Sequence, residues 1–114
     1  MPPRDSRMRV EDMLDAIAKI MRYTDGMTSD EFGSDEKTVD AVARNLEVIG
    51  EAARHISNDV KERENQIPWV EISGMRNFLI HQYADVSLPT VWETIHQDLP
   101  PLVPMLQSLL LTMR

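Results

Sequence analysis

Residues 35–60, DEKTVDAVARNLEVIGEAARHISNDV, carry the clearest structural pattern in this chain. Their apolar side chains recur every three or four residues, which places them on one face of an α-helix. Ser34 or Asp35 can cap the start of the helix, because either side chain can accept a hydrogen bond from a free backbone amide. The pattern therefore predicts one long amphipathic helix with a buried stripe: Val39, Val42, Leu46, Ile49, Ala53, Ile56 and Val60.

Gly50 stands inside this predicted helix. A glycine there costs about 1 kcal/mol relative to alanine, so its presence needs a structural reason. We expect a neighbouring segment to pack closely against the position where a side chain is missing. The run GEAA at 50–53 has small residues that would allow such an approach.

Helical periodicity continues on both sides of residues 35–60. Residues 6–25 carry a second apolar stripe, and Gly26 is well placed to end that helix. A polar loop, TSDEFGSDE, is predicted between the two helices. After Val60 the charged stretch KERENQ and residues 67–68 predict another loop.

The C-terminal half predicts two or three more helices. Pro68 suits the first turn of a helix that reaches about His81 or Tyr83, and residues 84–88 form the next turn. A further helix starts near Pro89 and is expected to break at Pro100 and Pro101, since proline lacks the amide donor. Residues 102–110 continue it as a kinked extension or a short fifth helix.

The composition agrees with an all-α fold. Only 5% of the 114 residues are aromatic, and no segment alternates β-branched residues as a sheet would require. The length suits one domain over residues 1–114, built as an up-and-down bundle of four to five helices. No window approaches the length of a membrane span and residues 1–12 lack a signal peptide, so we expect a soluble cytoplasmic protein without a membrane partner.

The net charge and the absence of cysteine exclude several classes of site and reaction. The absence of cysteine excludes disulfides, thiol catalysis and thiolate-bound zinc. A net charge of −7 argues against binding nucleic acid over the whole surface, because such binding depends on neutralising phosphates. Any RNA-directed activity must come from a local positive cleft. The basic residues that could contribute, although each also suits a solvated helix face, are Arg22, Arg44 and Arg54.

Residues 76–83, RNFLIHQY, carry the strongest chemical signal. Arg76 keeps its positive charge at any ordinary pH, whereas His81 can both take and give a proton near neutrality. RNA cleavage needs a proton removed from the 2′-hydroxyl and one delivered to the 5′-oxygen, and histidine suits either step. Arg76 could hold the phosphate through a bidentate fork and stabilise its added charge.

The geometry of a straight helix does not allow Arg76 and His81 of one chain to face the same phosphate. On a straight helix Arg76 and His81 would point about 140° apart, whereas Arg76 and Tyr83 would lie about 20° apart. Either the helix ends near His81 or a second subunit completes the site. The same residues also fit a structural role, because Arg76 and Tyr83 could stack on one helix face and His81 could interact with a helix C-terminus.

The motif RxxxxHxY, read as Arg76, His81 and Tyr83 with Asn77 directly after the arginine, resembles the signature of HEPN-domain ribonucleases, specifically the HepT-like toxins. Three segments resemble helices of HepT-like proteins in the same order: RNLEVIGEAARHI, IPWVEISGMRNFLIHQY and VWETIHQDLPPL. The resemblance covers nearly the whole chain.

The resemblance implies a HEPN-type helical bundle that forms a homodimer, with the arginine and histidine of both subunits facing one cleft. It implies metal-independent cleavage of RNA, often transfer RNA, with no cofactor. Arg76 and His81 would be catalytic and Asn77 supporting. The implied partner is an MntA-like minimal nucleotidyltransferase antitoxin, which would neutralise the toxin by attaching AMP to Tyr83.

Two other functions stay open. The acidic charge and the one motif histidine also fit a non-catalytic helical dimer that binds a nucleotidyltransferase and helps present its substrate. A general helical scaffold is a third possibility. Glu93 and His96 form half of a di-metal motif, but further inward carboxylates would be needed, so we expect no metal site and place His96 on the surface or at an interface.

The remaining histidine and the two tryptophans have simpler interpretations. His55 follows Glu51 by four residues and is expected to form an ordinary side-chain pair with it on one helix face. Trp69 and Trp92 are expected to anchor the core or an interface, because large rings bury well and the indole N–H can find an acceptor.

Overall fold

The computed structural model describes residues 5–77 and 88–113. Within these ranges the chain is helical and has no strand. The elements in chain order are α1 (Ser6–Thr24), α2 (Ser29–Gly33), α3 (Glu36–Arg54), α4 (Asn58–Arg63), α5 (Trp69–Ser73), a 3₁₀ turn (Gly74–Arg76), α6 (Leu88–Glu93), a π-helical turn (Thr94–Asp98) and α7 (Leu99–Thr112). The all-α prediction is confirmed for the described residues.

Helix α1 has the predicted extent. The Asp5 side chain accepts a hydrogen bond from the backbone amide of Met8 at 2.8 Å and so caps the first turn. Gly26 follows the helix with φ of +77°, a conformation that glycine adopts without strain. The apolar stripe of α1 is buried, as its periodicity predicts.

The prediction of a polar loop at TSDEFGSDE is wrong for residues 29–33, which form helix α2. Thr28 and Glu31 form a capping box, in which each side chain accepts a hydrogen bond from the other's backbone amide. Phe32 of this short helix is fully buried, and its ring lies 5.3 Å from that of Trp92. Five residues are too few to show helical periodicity, but the Thr-x-x-Glu spacing was a visible start signal.

Helix α3 begins at the predicted cap but ends earlier than predicted. Asp35, rather than Ser34, accepts a hydrogen bond from the backbone amide of Thr38 at 3.1 Å. The helix stops at Arg54, and the separate helix α4 takes up the first half of the predicted KERENQ loop. The backbone amide of Ser57, between the two helices, donates to the Ser6 hydroxyl at 3.1 Å.

The apolar stripe predicted for residues 35–60 is buried even though the helix is interrupted. Ile56 and Val60 lie in the core beside the α3 residues. The spacing of the apolar residues therefore predicted correctly which side chains are buried. It did not show whether one helix or two successive helices carry them.

The region after Pro68 differs from a single regular α-helix. Helix α5 starts at Trp69, as predicted within one residue, and then tightens into the 3₁₀ turn at Gly74–Arg76. Residues 78–87, including the predicted end of this helix and the following turn, lie outside the described residues.

The change of helix predicted at Pro100 and Pro101 falls one residue earlier, where α7 begins at Leu99. Both prolines stand in the first turn of α7, where a backbone N–H has no partner within the helix. The π-helical turn at Thr94–Asp98 joins α6 directly to α7, so the helical path continues through this region. The extension predicted for residues 102–110 belongs to the same helix.

One continuous apolar core joins the elements. Helix α3 packs against α1, α5 and the 3₁₀ turn, while α7 packs against α1. Arg7 of α1 binds the C-terminal end of α7, because its Nη1 donates hydrogen bonds to the carbonyls of Leu110 and Met113 at 3.1 Å each. Across the described ranges, no helix combines the length and apolar character needed to cross a membrane.

Candidate functional site

Arg76 is placed by a close backbone contact with α3. A Cβ atom added at Gly50 would lie 2.6 Å from the backbone nitrogen of Arg76 and 2.9 Å from the carbonyl oxygen of Ser73. Any side chain at position 50 would therefore overlap the 3₁₀ turn. This confirms the prediction that a neighbouring segment uses the space left by Gly50.

The side chain of Arg76 is held by the residue next to that glycine. Its Nη1 donates a short hydrogen bond to Oε1 of Glu51. The same Oε1 also accepts from Nη1 of Arg54 at 3.1 Å. One carboxylate on α3 thus bridges two arginines, one from its own helix and one from the turn that follows α5.

The two arginines change the ionisation of Glu51. The hydrogen bond from Arg76 is the main cause that lowers the pKa of the Glu51 carboxyl, and the hydrogen bond from Arg54 adds to it. Partial burial acts in the opposite direction and raises the pKa, but it is the weaker influence. Glu51 is therefore charged at neutral pH, and the cluster of Glu51, Arg54 and Arg76 has a net charge of about +1.

The cluster remains accessible. The side chains of Arg76, Glu51 and Arg54 are 30%, 38% and 48% exposed, respectively. Asn77, directly after Arg76, is exposed as well. An anion approaching from solvent could reach the guanidinium groups without displacing any core residue.

The predicted site is only partly within the described residues. Arg76 and Asn77 occupy the end of the 3₁₀ turn and the residue after it. His81 and Tyr83 lie in residues 78–87, outside the described ranges. Their roles and their distance from Arg76 therefore stay predictions.

The other basic candidates differ in their relation to Arg76. Arg54 joins it through Glu51, as described above. Arg44 donates to Glu47 at 3.1 Å on the same helix, and Arg22 lies 5.6 Å above the ring of Tyr23. Of the three, Arg54 is the one that the structure places in the Arg76 cluster.

Glu51 is the site residue that the sequence interpretation missed. Glu51 and His55 do not form the expected side-chain pair, because Nδ1 of His55 lies 2.9 Å from the backbone oxygen of Glu51. The carboxylate points to the arginines instead. A sequence signal existed in the three-residue spacing of Glu51 and Arg54 beside a helix glycine, although Arg76 could not be added from spacing alone.

The two tryptophans and His96 have the expected structural roles. Trp69 is buried, and its indole N–H donates to the carbonyl of Glu64 at 3.1 Å. Trp92 is partly buried between Phe32 and His96, whose ring centroid lies 4.2 Å from that of Trp92. His96 is exposed, and the described residues hold no group of three or more acidic or histidine side chains that could bind a metal.

A groove of about 690 Å³ is lined by residues of α5, the 3₁₀ turn, the π-helical turn and α7. Its described lining is mainly apolar, with Ile72, Met75 and Leu102 among its residues. Two carboxylates, Glu71 and Asp98, also line it. Such a surface does not favour a polyanion, so the Arg76 cluster is the better candidate for a nucleic-acid contact.

Comparison with known proteins assigns the family. The family model described as "HepT-like: Ribonuclease HepT-like" matches residues 13–109, which include the whole Arg76 cluster. The chain therefore belongs to the HepT-like ribonuclease family, as the sequence resemblance implies.

Two relatives illustrate the similarity. "Probable ribonuclease HepT" of Thermococcus cleftensis is 40% identical over 99 residues, which are 87% of this chain and 90% of the relative. "Putative RNase MJ1216" of Methanocaldococcus jannaschii is 42% identical over 100 residues, which are 88% and 83% of the two chains. No solved structure matches the chain significantly.

Proposed function

We propose that this chain is a metal-independent endoribonuclease and the toxin of a toxin–antitoxin pair. The observation that carries the proposal is the fixed, solvent-accessible guanidinium of Arg76, five residues before His81 in a chain of the HepT-like family. The relatives carry ribonuclease names, which supports an RNA substrate. In this proposal the protein acts in the cytoplasm and its substrates include transfer RNA.

In the proposed reaction, His81 and Arg76 divide the chemistry. An imidazole removes the proton from a 2′-hydroxyl, the 2′-oxygen attacks the adjacent phosphorus, and the 5′-oxygen leaves with a proton from an acid. Arg76 binds the non-bridging oxygens and stabilises the charge that develops on them. Asn77 supports this geometry from the neighbouring position.

A homodimer would supply the second proton-transfer group. One His81 from each subunit could act as base and acid in a shared cleft, since a two-fold axis brings two copies of the same surface together. Because the net charge is −7, RNA binding would depend on the local positive cluster and not on the whole surface.

Regulation is proposed to act on Tyr83. A minimal nucleotidyltransferase of the MntA type would transfer AMP from ATP to the Tyr83 hydroxyl, two residues from His81, and release pyrophosphate. AMP on Tyr83 would add a negative charge within the RxxxxHxY motif, and this charge would oppose the binding of an RNA phosphate.

Cleavage of RNA by the purified protein with a chelator present tests the nuclease activity. His81→Ala should lower the cleavage rate by about 10²- to 10⁴-fold, because general acid–base catalysis is lost. His96→Ala is the matched control, since His96 is exposed, stacks on Trp92 and does not belong to the RxxxxHxY motif. Full activity of His81→Ala, or no cleavage by the wild type, would refute the proposal and favour the non-catalytic dimer.

Mass spectrometry after incubation with an MntA-type nucleotidyltransferase and ATP tests the regulation. The wild type should gain the mass of AMP, and Tyr83→Phe should not. Tyr23→Phe, on an exposed tyrosine of α1, should be modified like the wild type. An unchanged mass gain in Tyr83→Phe would exclude Tyr83 as the acceptor.

A further inference from the structure

We infer that Glu51 is a positioning residue for Arg76, and that it holds the guanidinium in the orientation needed to bind the scissile phosphate. The inference rests on the proposed ribonuclease activity and adds a residue outside the RxxxxHxY motif. It starts from the contacts that two consecutive residues of α3 make with Arg76.

Gly50 and Glu51 hold Arg76 at two points. The backbone of Arg76 lies against Gly50 so closely that a Cβ there would be 2.6 Å from its nitrogen. The end of the side chain is bound by the Glu51 carboxylate. Fixing both the start and the end of a long, flexible side chain leaves it few rotamers, which reduces the entropy lost when a phosphate binds.

The contact with Glu51 leaves most of the guanidinium available. An arginine carries five N–H donors, and the hydrogen bond to Glu51 uses one donor on Nη1. The edge formed by Nε and Nη2 can still make a bidentate contact with a phosphate. Glu51 can therefore orient Arg76 while RNA is bound and need not be displaced by it.

Arg54 prevents the carboxylate from cancelling the positive charge of the site. Because Glu51 lies between Arg54 and Arg76, two cations surround one anion. A carboxylate paired with Arg76 alone would give a neutral pair that attracts phosphate weakly. The second arginine restores a net positive charge at the position where a phosphate would bind.

A purely structural ion pair would behave differently from a positioning residue. All three side chains are more than a quarter exposed, and exposed ion pairs contribute little to the free energy of unfolding. Removing Glu51 should therefore leave the fold intact. A large kinetic effect in a folded variant would point to the orientation of Arg76.

The kinetic test compares Glu51→Ala and Glu51→Gln with Glu47→Ala, the matched control that removes a carboxylate paired with Arg44 on the same helix. Glu51→Ala should lower kcat by about 10- to 100-fold while KM changes less than about threefold, because a misoriented group costs transition-state contacts. Glu51→Gln, which keeps a hydrogen-bond acceptor, should recover part of kcat. An unchanged or raised kcat in Glu51→Ala would overturn the inference.

A second measurement does not depend on RNA cleavage. The NMR order parameter of the Arg76 Nε–H group should show restricted motion in the wild type and in Glu47→Ala, and free motion in Glu51→Ala. A mobile Arg76 in the wild type, or equal restriction in Glu51→Ala, would overturn the positioning role. If the wild type cuts no RNA, the proposed function fails, while this measurement still decides whether Glu51 orients Arg76.

Discussion

Helix α3 carries two arginine–glutamate pairs that are alike in local chemistry and different in surroundings. Arg44 with Glu47 and Arg54 with Glu51 have the same three-residue spacing and the same 3.1 Å separation between Nη1 and a carboxylate oxygen. The second pair gains a third member, Arg76, because Gly50 lets the 3₁₀ turn approach α3. The pair of Arg54 and Glu51 therefore belongs to the candidate site because Arg76 also binds Glu51.

The largest expected effect comes from removing the close approach at Gly50. Gly50→Ala should lower the free energy of unfolding by about 1–3 kcal/mol, because the added methyl group overlaps the backbone of Arg76. Helix propensity alone predicts the opposite, a gain of about 1 kcal/mol. Urea denaturation of purified Gly50→Ala therefore tests the contact between Gly50 and Arg76, because the sign of the change in the free energy of unfolding distinguishes the two expectations.

Gly74→Ala is the matched control for Gly50→Ala. A Cβ at Gly74 would meet no atom within 4 Å, so the substitution should leave stability unchanged or slightly raised. RNA cleavage should fall in Gly50→Ala and persist in Gly74→Ala. A Gly50→Ala protein more stable than the wild type would show that the two segments do not pack as described.

A smaller effect should distinguish the two arginines of α3. If Arg54 contacts a phosphate beside Arg76, Arg54→Ala should reduce the slope of log KM for RNA against log salt concentration by about 1. Arg44→Ala should change this slope less, because Arg44 lies about 15 Å further along the helix. Equal slopes for the two variants would remove Arg54 from the proposed RNA contact.

The smallest expected effect is a pH dependence of stability. The pKa of the Glu51 carboxyl is lowered from its ordinary value of 4.5, chiefly by the hydrogen bond from Arg76. The ionised group therefore stabilises the folded state above that value, and this contribution is lost as the pH falls through the lower folded pKa. Glu51→Gln should consequently be less stable than the wild type near neutral pH and approach it in acid.

Melting temperatures of both proteins between about pH 7 and pH 3 would check this expectation. Glu47→Gln is the control, and its difference from the wild type should be smaller because Glu47 has one arginine partner instead of two. A Tm difference for Glu51→Gln that grows in acid would contradict the ion pair with Arg76.

The long helices α1 and α3 were predicted from the sequence, whereas the short helices α2 and α4 were not. In α1 and α3 the apolar residues repeat over several turns, so the pattern is unambiguous. Helix α2 has five residues and α4 has six, which is too short for a repeat to show. The direct connection of α6 to α7 through the π-helical turn was not predicted either. Proline was expected to end a helix, but Pro100 and Pro101 occupy the first turn of α7, where proline is tolerated.

The candidate site was also predictable in part. Arg76 was recognised from the RxxxxHxY motif, and the close contact at Gly50 followed from the cost of glycine in a helix. Glu51 was not recognised, because its partner Arg76 is 25 residues away and no helical spacing relates the two. The roles of His81 and Tyr83 stay predictions, since both residues lie outside the described part of the chain.

Local sequence was sufficient to establish the helical class, the buried stripes and the family, because each depends on residue type and spacing along the chain. The Glu51–Arg76 contact required the folded molecule. A hydrogen bond depends on distance in space, and in this protein the packing of the 3₁₀ turn onto Gly50 brings the two side chains together. The same arginine and glutamate in an unpacked chain would be solvated separately.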